Sequence, residues 1–135
     1  MPKVRLGLLG AGAMGQRVAH AATSSGRFDI VSIADSNQSL ASALASEYGA
    51  TAYDDVGTLC AAGDLDGVYV GLPHHLHASA CVAAADADLH VLIDKPLCNT
   101  LAEADLIRDS ASASTRTWMV GFSYRYRAEW RRAEE

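Results

Sequence analysis

Three glycines stand at G-x-G-x-x-G spacing in Gly10-Ala11-Gly12-Ala13-Met14-Gly15. They follow a short apolar run, Val4 to Leu9, and precede an alanine-rich stretch with helical character. A strand-turn-helix setting is what this motif requires before it means anything. Gly10 permits a tight turn, Gly12 lets the backbone approach a ligand, and Gly15 lets the helix pack close to the strand. The free N–H groups of the first helical turn, Ala13 and Met14 included, and the helix dipole then favour an anion such as a pyrophosphate. A kinase glycine loop would need an H-R-D downstream, which is absent. No G-x-x-x-x-G-K-[ST] is present either, which excludes a P-loop ATPase. Asp35 follows Gly15 by twenty residues, at the end of the second apolar run. A carboxylate there accepts hydrogen bonds from the adenosine ribose and repels a 2′-phosphate, which favours NAD over NADP. Ser36 and Asn37 leave room for NADP, although no arginine sits beside Asp35 to pair with the extra phosphate.

Two further stretches carry side chains able to do chemistry. Gly71-Leu72-Pro73-His74-His75-Leu76-His77 closes one apolar run and Asp94-Lys95-Pro96 closes the next. In an open α/β sheet the C-terminal ends of the strands line the ligand crevice. Pro96 biases Lys95 to an extended backbone. His74, His75 and His77 have no carboxylate or cysteine set beside them, and a catalytic zinc needs three well-directed ligands, so no metal is expected.

Short β-rich runs alternating with alanine-rich helices position these groups. Strands are expected at Val4–Leu9, Phe28–Ala34, Thr51–Tyr53, Gly67–Leu72, His90–Ile93 and Trp118–Phe122. Helices are expected over Ala13–Ser25, with Ala19, Ala21 and Ala22 facing the sheet, and over Gln38–Tyr48, with Leu40 and Leu44 on one face. A short helix capped by Asp54 or Asp55 runs through Leu59 and Cys60, and another covers about Leu76 to Ala87. Thr100 and Glu103 have capping-box spacing and open a helix through about Ser110, leaving Ser110–Thr117 as a soft loop. The pattern is a doubly wound, mostly parallel six-stranded α/β sheet of order 3-2-1-4-5-6, the Rossmann fold.

At 135 residues the chain has room for one domain, and its 50% hydrophobic and 20% charged composition is ordinary for a globular protein. A net charge of −5 argues against nucleic-acid or acidic-membrane partners. The basic run Arg125, Arg127, Arg131 and Arg132 is broken by glutamates and reads largely as a solvated face. Nothing approaches the roughly 18 apolar residues that span a bilayer. Cys60, Cys81 and Cys98 form no C-x-x-C and read as buried small side chains in a reducing compartment, so a cytoplasmic location is expected.

Taken together, the P-x-x-x-H of Pro73–His77, the acidic-Lys-Pro of Asp94–Pro96 and Gly121-Phe122-Ser123-Tyr124-Arg125-Tyr126 resemble the Gfo/Idh/MocA family. That family includes glucose–fructose oxidoreductases and inositol dehydrogenases, and the likeness runs from about Val4 to Tyr126. It implies an NAD(P)-dependent oxidoreductase that transfers hydride between nicotinamide and a carbon-bound hydroxyl of a sugar, cyclitol or related polyol. Lys95 takes the place of the family's catalytic lysine, with Asp94 where a Glu is usual. Leu72, Pro73 and His77 would border the nicotinamide ribose, His74 holds a position often occupied by Asn, and Arg125 would lie near the nicotinamide or the crevice mouth. Tyr126 replaces the usual Phe, and a proline that often follows is missing.

The resemblance also implies a dinucleotide-binding domain over 1–122, with 123–135 beginning the connection to a C-terminal α+β domain absent from this chain. That domain would carry the substrate pocket, a catalytic histidine and much of a homo-oligomer interface. The chain is therefore expected to be a truncated product, a fragment or an isolated domain, binding cofactor with little or no turnover. Two other readings are a non-catalytic dinucleotide-binding module and a lyase that uses bound NAD transiently.

Overall fold

The computed structural model describes residues 1–134. Six strands form one sheet in the order β3-β2-β1-β4-β5-β6, and every neighbouring pair is parallel. They are β1 (Val4–Leu9), β2 (Phe28–Ala34), β3 (Thr51–Tyr53), β4 (Gly67–Val70), β5 (His90–Ile93) and β6 (Trp118–Val120). The intervening helices are α1 (Ala13–Ser24), α2 (Gln38–Tyr48), α3 (Val56–Ala61), α4 (His77–Asp86) and α5 (Leu101–Ala113), followed by α6 (Ala128–Glu134). The strand order reverses between β1 and β4, which places a crevice at their C-terminal ends.

Period-two alternation sends the two faces of the sheet into two cores. Val68, Val70, Val91 and Ile93 pack with Ala78, Ala80, Cys81, Ala84 and Ile107 on one side. Leu6, Leu8, Ile30, Ile33 and Tyr69 pack with Ala19, Leu44 and Ala45 on the other. Each fully buried Leu or Ile removes enough apolar surface from water to stabilise the fold by about 1.5–3 kcal/mol. On the second face α1 and α2 lie over β1, β2 and β3. Met119, paired with Leu92 across β5 and β6, stays 41% exposed there.

Local chemistry sets the element boundaries. Asn37 caps α2 through Ser39 N–H and Leu40 N–H, and Gly49 closes it in the left-handed region at φ 67°. Of the two candidate aspartates, Asp55 caps α3 by accepting from Thr58 N–H at 2.8 Å. Thr100 and Glu103 form the full capping box at the start of α5.

Several expectations need correction. Leu40 is exposed, and the buried stripe of α2 is Ala41, Leu44 and Ala45, because small side chains let this helix lie close to the sheet. On α1 the buried residues are Gly15 and Ala19, while Ala21 points outward. α5 runs on to Ala113 and takes up half of the expected loop, since Ser and Ala continue a helix that a good cap has already nucleated. β4 ends at Val70 and β6 at Val120, each shorter than expected, as the chain leaves the sheet at Gly71 and Gly121. A 3-10 turn at His74–Leu76 precedes α4, and a second at Ser123–Tyr126 precedes α6.

Candidate functional site

The loop from β1 into α1 is held by backbone contacts that exclude side chains. Gly10 sits at φ +107°, and a Cβ there would lie 2.5 Å from Gly71 O, where the turns after β1 and β4 pass each other. A Cβ at Gly15 would fall 2.0 Å from Gly10 O. Gly12, the N-cap of α1, differs: its φ is −70° and a Cβ would meet nothing within 4 Å. The fold therefore needs glycine at 10 and 15, whereas the space over Gly12 is free for a ligand. Gly10 N–H donates to Ala34 O at 2.8 Å, tying the loop to the end of β2. Ala13 and Met14 form the exposed first turn of α1.

Asp35 follows β2 and braces the same loop. Its Oδ2 accepts from Ala11 N–H at 2.9 Å and its Oδ1 from Asn37 N–H at 2.8 Å. The half-buried carboxylate is thus fixed beside the glycine turn, with lone pairs still available for a hydroxyl donor. A cavity of about 580 Å³ unites Gly10, Gly12, Asp35, Ser36, Leu72 and Pro73. Its far wall comes from residues that sequence reasoning missed: Asp54 just before α3, Val56 and Gly57 at its start, Leu76 at the end of the 3-10 turn, and Ala80 and Ala83 along α4. Only the helix-cap aspartates gave any signal, and they gave it as caps. Apolar walls closing on a polar rim suit an aromatic base with its ribose. The absence of a Cβ at Gly12, the free N–H groups of the first turn and the fixed Asp35 carboxylate fit a dinucleotide laid across β1 and β2.

At the end of β5, Asp94 is half-buried, and its Oδ1 accepts from Lys95 N–H at 2.9 Å. Asp94 N–H donates to Val70 O at 2.9 Å, so this turn is stitched to β4. Lys95 and Pro96 are exposed, and the peptide bond between them is cis. Tyr69 is buried near this turn, and its Oη has no hydrogen-bond partner among the described residues. Burial, with the Asp94 charge adding to it, pushes the Tyr69 phenol well above its ordinary value.

Two of the expected site residues, His77 and Arg125, do not line the glycine-loop cavity. His77 does not reach the crevice surface: its ring is fully buried behind Leu72, with Nε2 2.9 Å from Leu72 O and Nδ1 3.1 Å from Leu97 O. His74 is the exposed member of the pair and meets His77 edge-on, ring centroids 5.6 Å apart. Arg125 lines a separate hollow of about 720 Å³ against β6 with Trp118, Met119, Phe122 and Tyr126. Among the described residues that hollow shares no lining residue with the cavity over the glycine loop, since the 3-10 turn carries Arg125 to the β6 edge. Among the described residues no three His, Cys, Asp or Glu side chains cluster to hold a metal ion. No helix there is long and apolar enough to cross a membrane.

Comparison with known proteins agrees with this architecture. Residues 4–122 match the model of an oxidoreductase family described as an NAD-binding Rossmann fold. The chain is 37% identical over 130 residues to D-xylose 1-dehydrogenase (NADP(+)) 2 of Haloferax volcanii, covering 96% of this chain and 40% of that protein. It is 32% identical to the rhizopine catabolism protein MocA of Rhizobium meliloti, covering 93% of this chain and 39% of that one. Among solved structures, myo-inositol dehydrogenase from Lactobacillus casei, in complex with NAD(H) and myo-inositol, superimposes with a TM-score of 0.90 at 28% identity. That match covers 96% of this chain and 40% of the other. Levoglucosan dehydrogenase in complex with NADH and levoglucosan gives a TM-score of 0.81 at 30% identity, covering 91% and 36%. The chain spans at most about 40% of the length of these relatives.

Proposed function

The chain belongs to the Gfo/Idh/MocA family of oxidoreductases, and from that membership we propose that it holds NAD for hydride exchange with a carbon-bound hydroxyl of a sugar, cyclitol or related polyol. The observation that carries this is the single cavity joining the open face of Gly12 to Asp35 and to the Leu72–Pro73 turn. The N–H groups of Gly12, Ala13 and Met14 at the start of α1 receive the pyrophosphate, and Gly10 and Gly15 keep that loop in place. Asp35 and Ser36 take the adenosine ribose. Leu72, Pro73 and His74 border the nicotinamide end, and Asp94-Lys95-Pro96 flanks it from β5. The cofactor supplies the hydride acceptor, and Lys95 donates a hydrogen bond to the reacting oxygen and shares its proton. Asp94 fixes the lysine backbone. Arg125, at the β6 edge, faces the part of the protein that brings substrate.

NAD is the preferred cofactor, since Asp35 and Asp54 set negative charge around the cavity where a 2′-phosphate would lie. NADP, named for the Haloferax relative, is taken more weakly. The dinucleotide domain spans 1–122, and 123–135 leads toward a substrate-binding region of the kind that lengthens the relatives. Unpaired Cys60, Cys81 and Cys98 suit a reducing, cytoplasmic setting. Calorimetric titration with NADH and NADPH, with Lys95→Ala alongside, tests the reading. NADH should bind and NADPH bind more weakly, with Lys95→Ala changing NADH affinity by no more than about three-fold, since the lysine acts on substrate. No heat with either cofactor at millimolar concentration would refute it.

A further inference from the structure

The structure assigns His77 as the positioning residue that aims Lys95, by bracing the turns after β4 and β5 against each other. This rests on the reading above, in which Lys95 works at the nicotinamide end. His77 is buried and shielded from solvent altogether. It opens α4, behind the Leu72–Pro73 turn. Its two ring nitrogens point to different loops: Nε2 meets Leu72 O at 2.9 Å and Nδ1 meets Leu97 O at 3.1 Å.

Those carbonyls belong to the two segments assigned to the nicotinamide end. Leu72 lines the cavity, and Leu97 follows Lys95 by two residues. Lys95 therefore lies between two anchors. On its N-terminal side Asp94 N–H is bound to Val70 O and Asp94 Oδ1 holds Lys95 N–H. On its C-terminal side the Leu97 carbonyl rests against the buried His77 ring, 3.1 Å from Nδ1. A short turn pinned at both ends keeps one direction for the side chain between them, which is how a site gains precision from groups that touch no ligand. Both partners are carbonyl acceptors and a neutral imidazole carries one N–H, so the ring donates to one turn while its rigid body fills the space against the other, a span that no serine or threonine would bridge.

The test compares two ligands that differ only at the nicotinamide. Calorimetry would measure NADH and ADP-ribose on the unaltered chain, His77→Leu and His77→Gln. In the unaltered chain NADH should bind more tightly than ADP-ribose. His77→Leu should leave the ADP-ribose Kd within about two-fold but raise the NADH Kd by about five-fold or more, a larger effect than Lys95→Ala because it displaces the Leu72–Pro73 turn together with the Lys95 turn. His77→Gln, which keeps one amide donor near a carbonyl, should recover part of the difference. A partly unfolded variant lowers both apparent affinities alike, so their ratio still reports positioning. If His77→Leu does not fold, His77→Gln decides, supported by faster amide hydrogen exchange at Lys95. A ratio unchanged in the folded variants, or equal affinities for the two ligands in the unaltered chain, would overturn the assignment. Failure of the unaltered chain to bind either ligand would instead sink the cofactor reading itself.

Discussion

Adding one methyl group at Gly12 and, separately, at Gly15 distinguishes a glycine required by the fold from one required by a ligand. At Gly15 the new Cβ would lie 2.0 Å from the carbonyl oxygen of Gly10, more than about 1 Å inside ordinary contact, and both partners are backbone. Either α1 or the loop must move. Overpacking of this kind costs about 1–3 kcal/mol, and a clash without a flexible side chain belongs at the upper end. For a domain of this size, about 3 kcal/mol lowers Tm by roughly 10–15 °C. At Gly12 the methyl meets nothing within 4 Å and φ is −70°, so the native chain accepts alanine without strain. Lower unfolded-state entropy offsets a weaker N-cap, and stability should stay within about 1 kcal/mol. That methyl nevertheless fills the space through which a pyrophosphate reaches the helix N–H groups. Gly12→Ala should therefore raise the NADH Kd by about ten- to hundred-fold, or about 1.4–2.7 kcal/mol, while Tm holds. Thermal unfolding by circular dichroism and NADH fluorescence titration on the same two variants give both quantities. A Gly12→Ala variant that binds NADH as well as the unaltered chain would refute the idea that the open face over this turn is the cradle.

Asp35→Ala removes the acceptor for Ala11 N–H and Asn37 N–H along with the ribose ligand, so NADH should bind more weakly. Preference for NADH over NADPH should fall by about ten-fold, or about 1.4 kcal/mol, in paired fluorescence titrations. Thr100→Ala breaks the capping box of α5 and should cost about 1 kcal/mol in urea unfolding. Glu103 is held below its ordinary carboxylate value by the N–H groups of Asn99 and Thr100 and, less strongly, by the Thr100 hydroxyl and His75. Its contribution is therefore complete above the unfolded value of about 4.5 and disappears as pH falls through the lower folded value. The gap in urea midpoint between the unaltered chain and Glu103→Gln should be open at neutral pH and closed in acid. Burial pushes the Cys60 thiol to about 11 and the Cys81 thiol to about 12. A thiol reagent at pH near 8 should then label half-buried Cys98 first in the folded chain and all three cysteines in urea, as read by mass spectrometry.

What was legible in the sequence is what neighbouring backbone imposes on residue type. Gly10 must be glycine because of a positive φ, and Gly15 because of a carbonyl five residues back, so both constraints lie inside one six-residue motif. The boundaries of β1, β2, α2, β3 and β5 followed from short apolar runs ended by turn and cap residues, and the strand order from their alternation with helices. Asp35 was legible because the ends of adjacent strands meet across a short helix, and its bond to Ala11 N–H joins two turns that the fold must bring together. Leu40 was misread because an i, i+4 leucine pair suggested a stripe that Ala41 and Ala45 in fact form beside Leu44. The cavity wall of Val56, Leu76, Ala80 and Ala83 was invisible for a related reason. Small apolar residues on α3 and α4 look like core wherever they occur, and only the packing of two helices decides which of them face a ligand.

His77 shows where such reading stops. A histidine near a strand end looks like a cofactor contact, since polar side chains at that end of a sheet usually face the crevice. Its partners, however, are the carbonyls of Leu72 and Leu97, and a carbonyl leaves no trace in residue type. No pattern within α4 could reveal that a loop twenty residues onward would supply the second acceptor. The same limit separates Arg125 from the glycine-loop cavity: its motif places it after β6, but only the turn at Ser123–Tyr126 directs it to the sheet edge. Residue types therefore mark the glycines and the carboxylate that shape the loop after β1, because those constraints act on side chains directly. His77, by contrast, meets backbone carbonyls, which are common to every residue. Family motifs can locate Lys95, but the contacts on either side of it are found only in the structure.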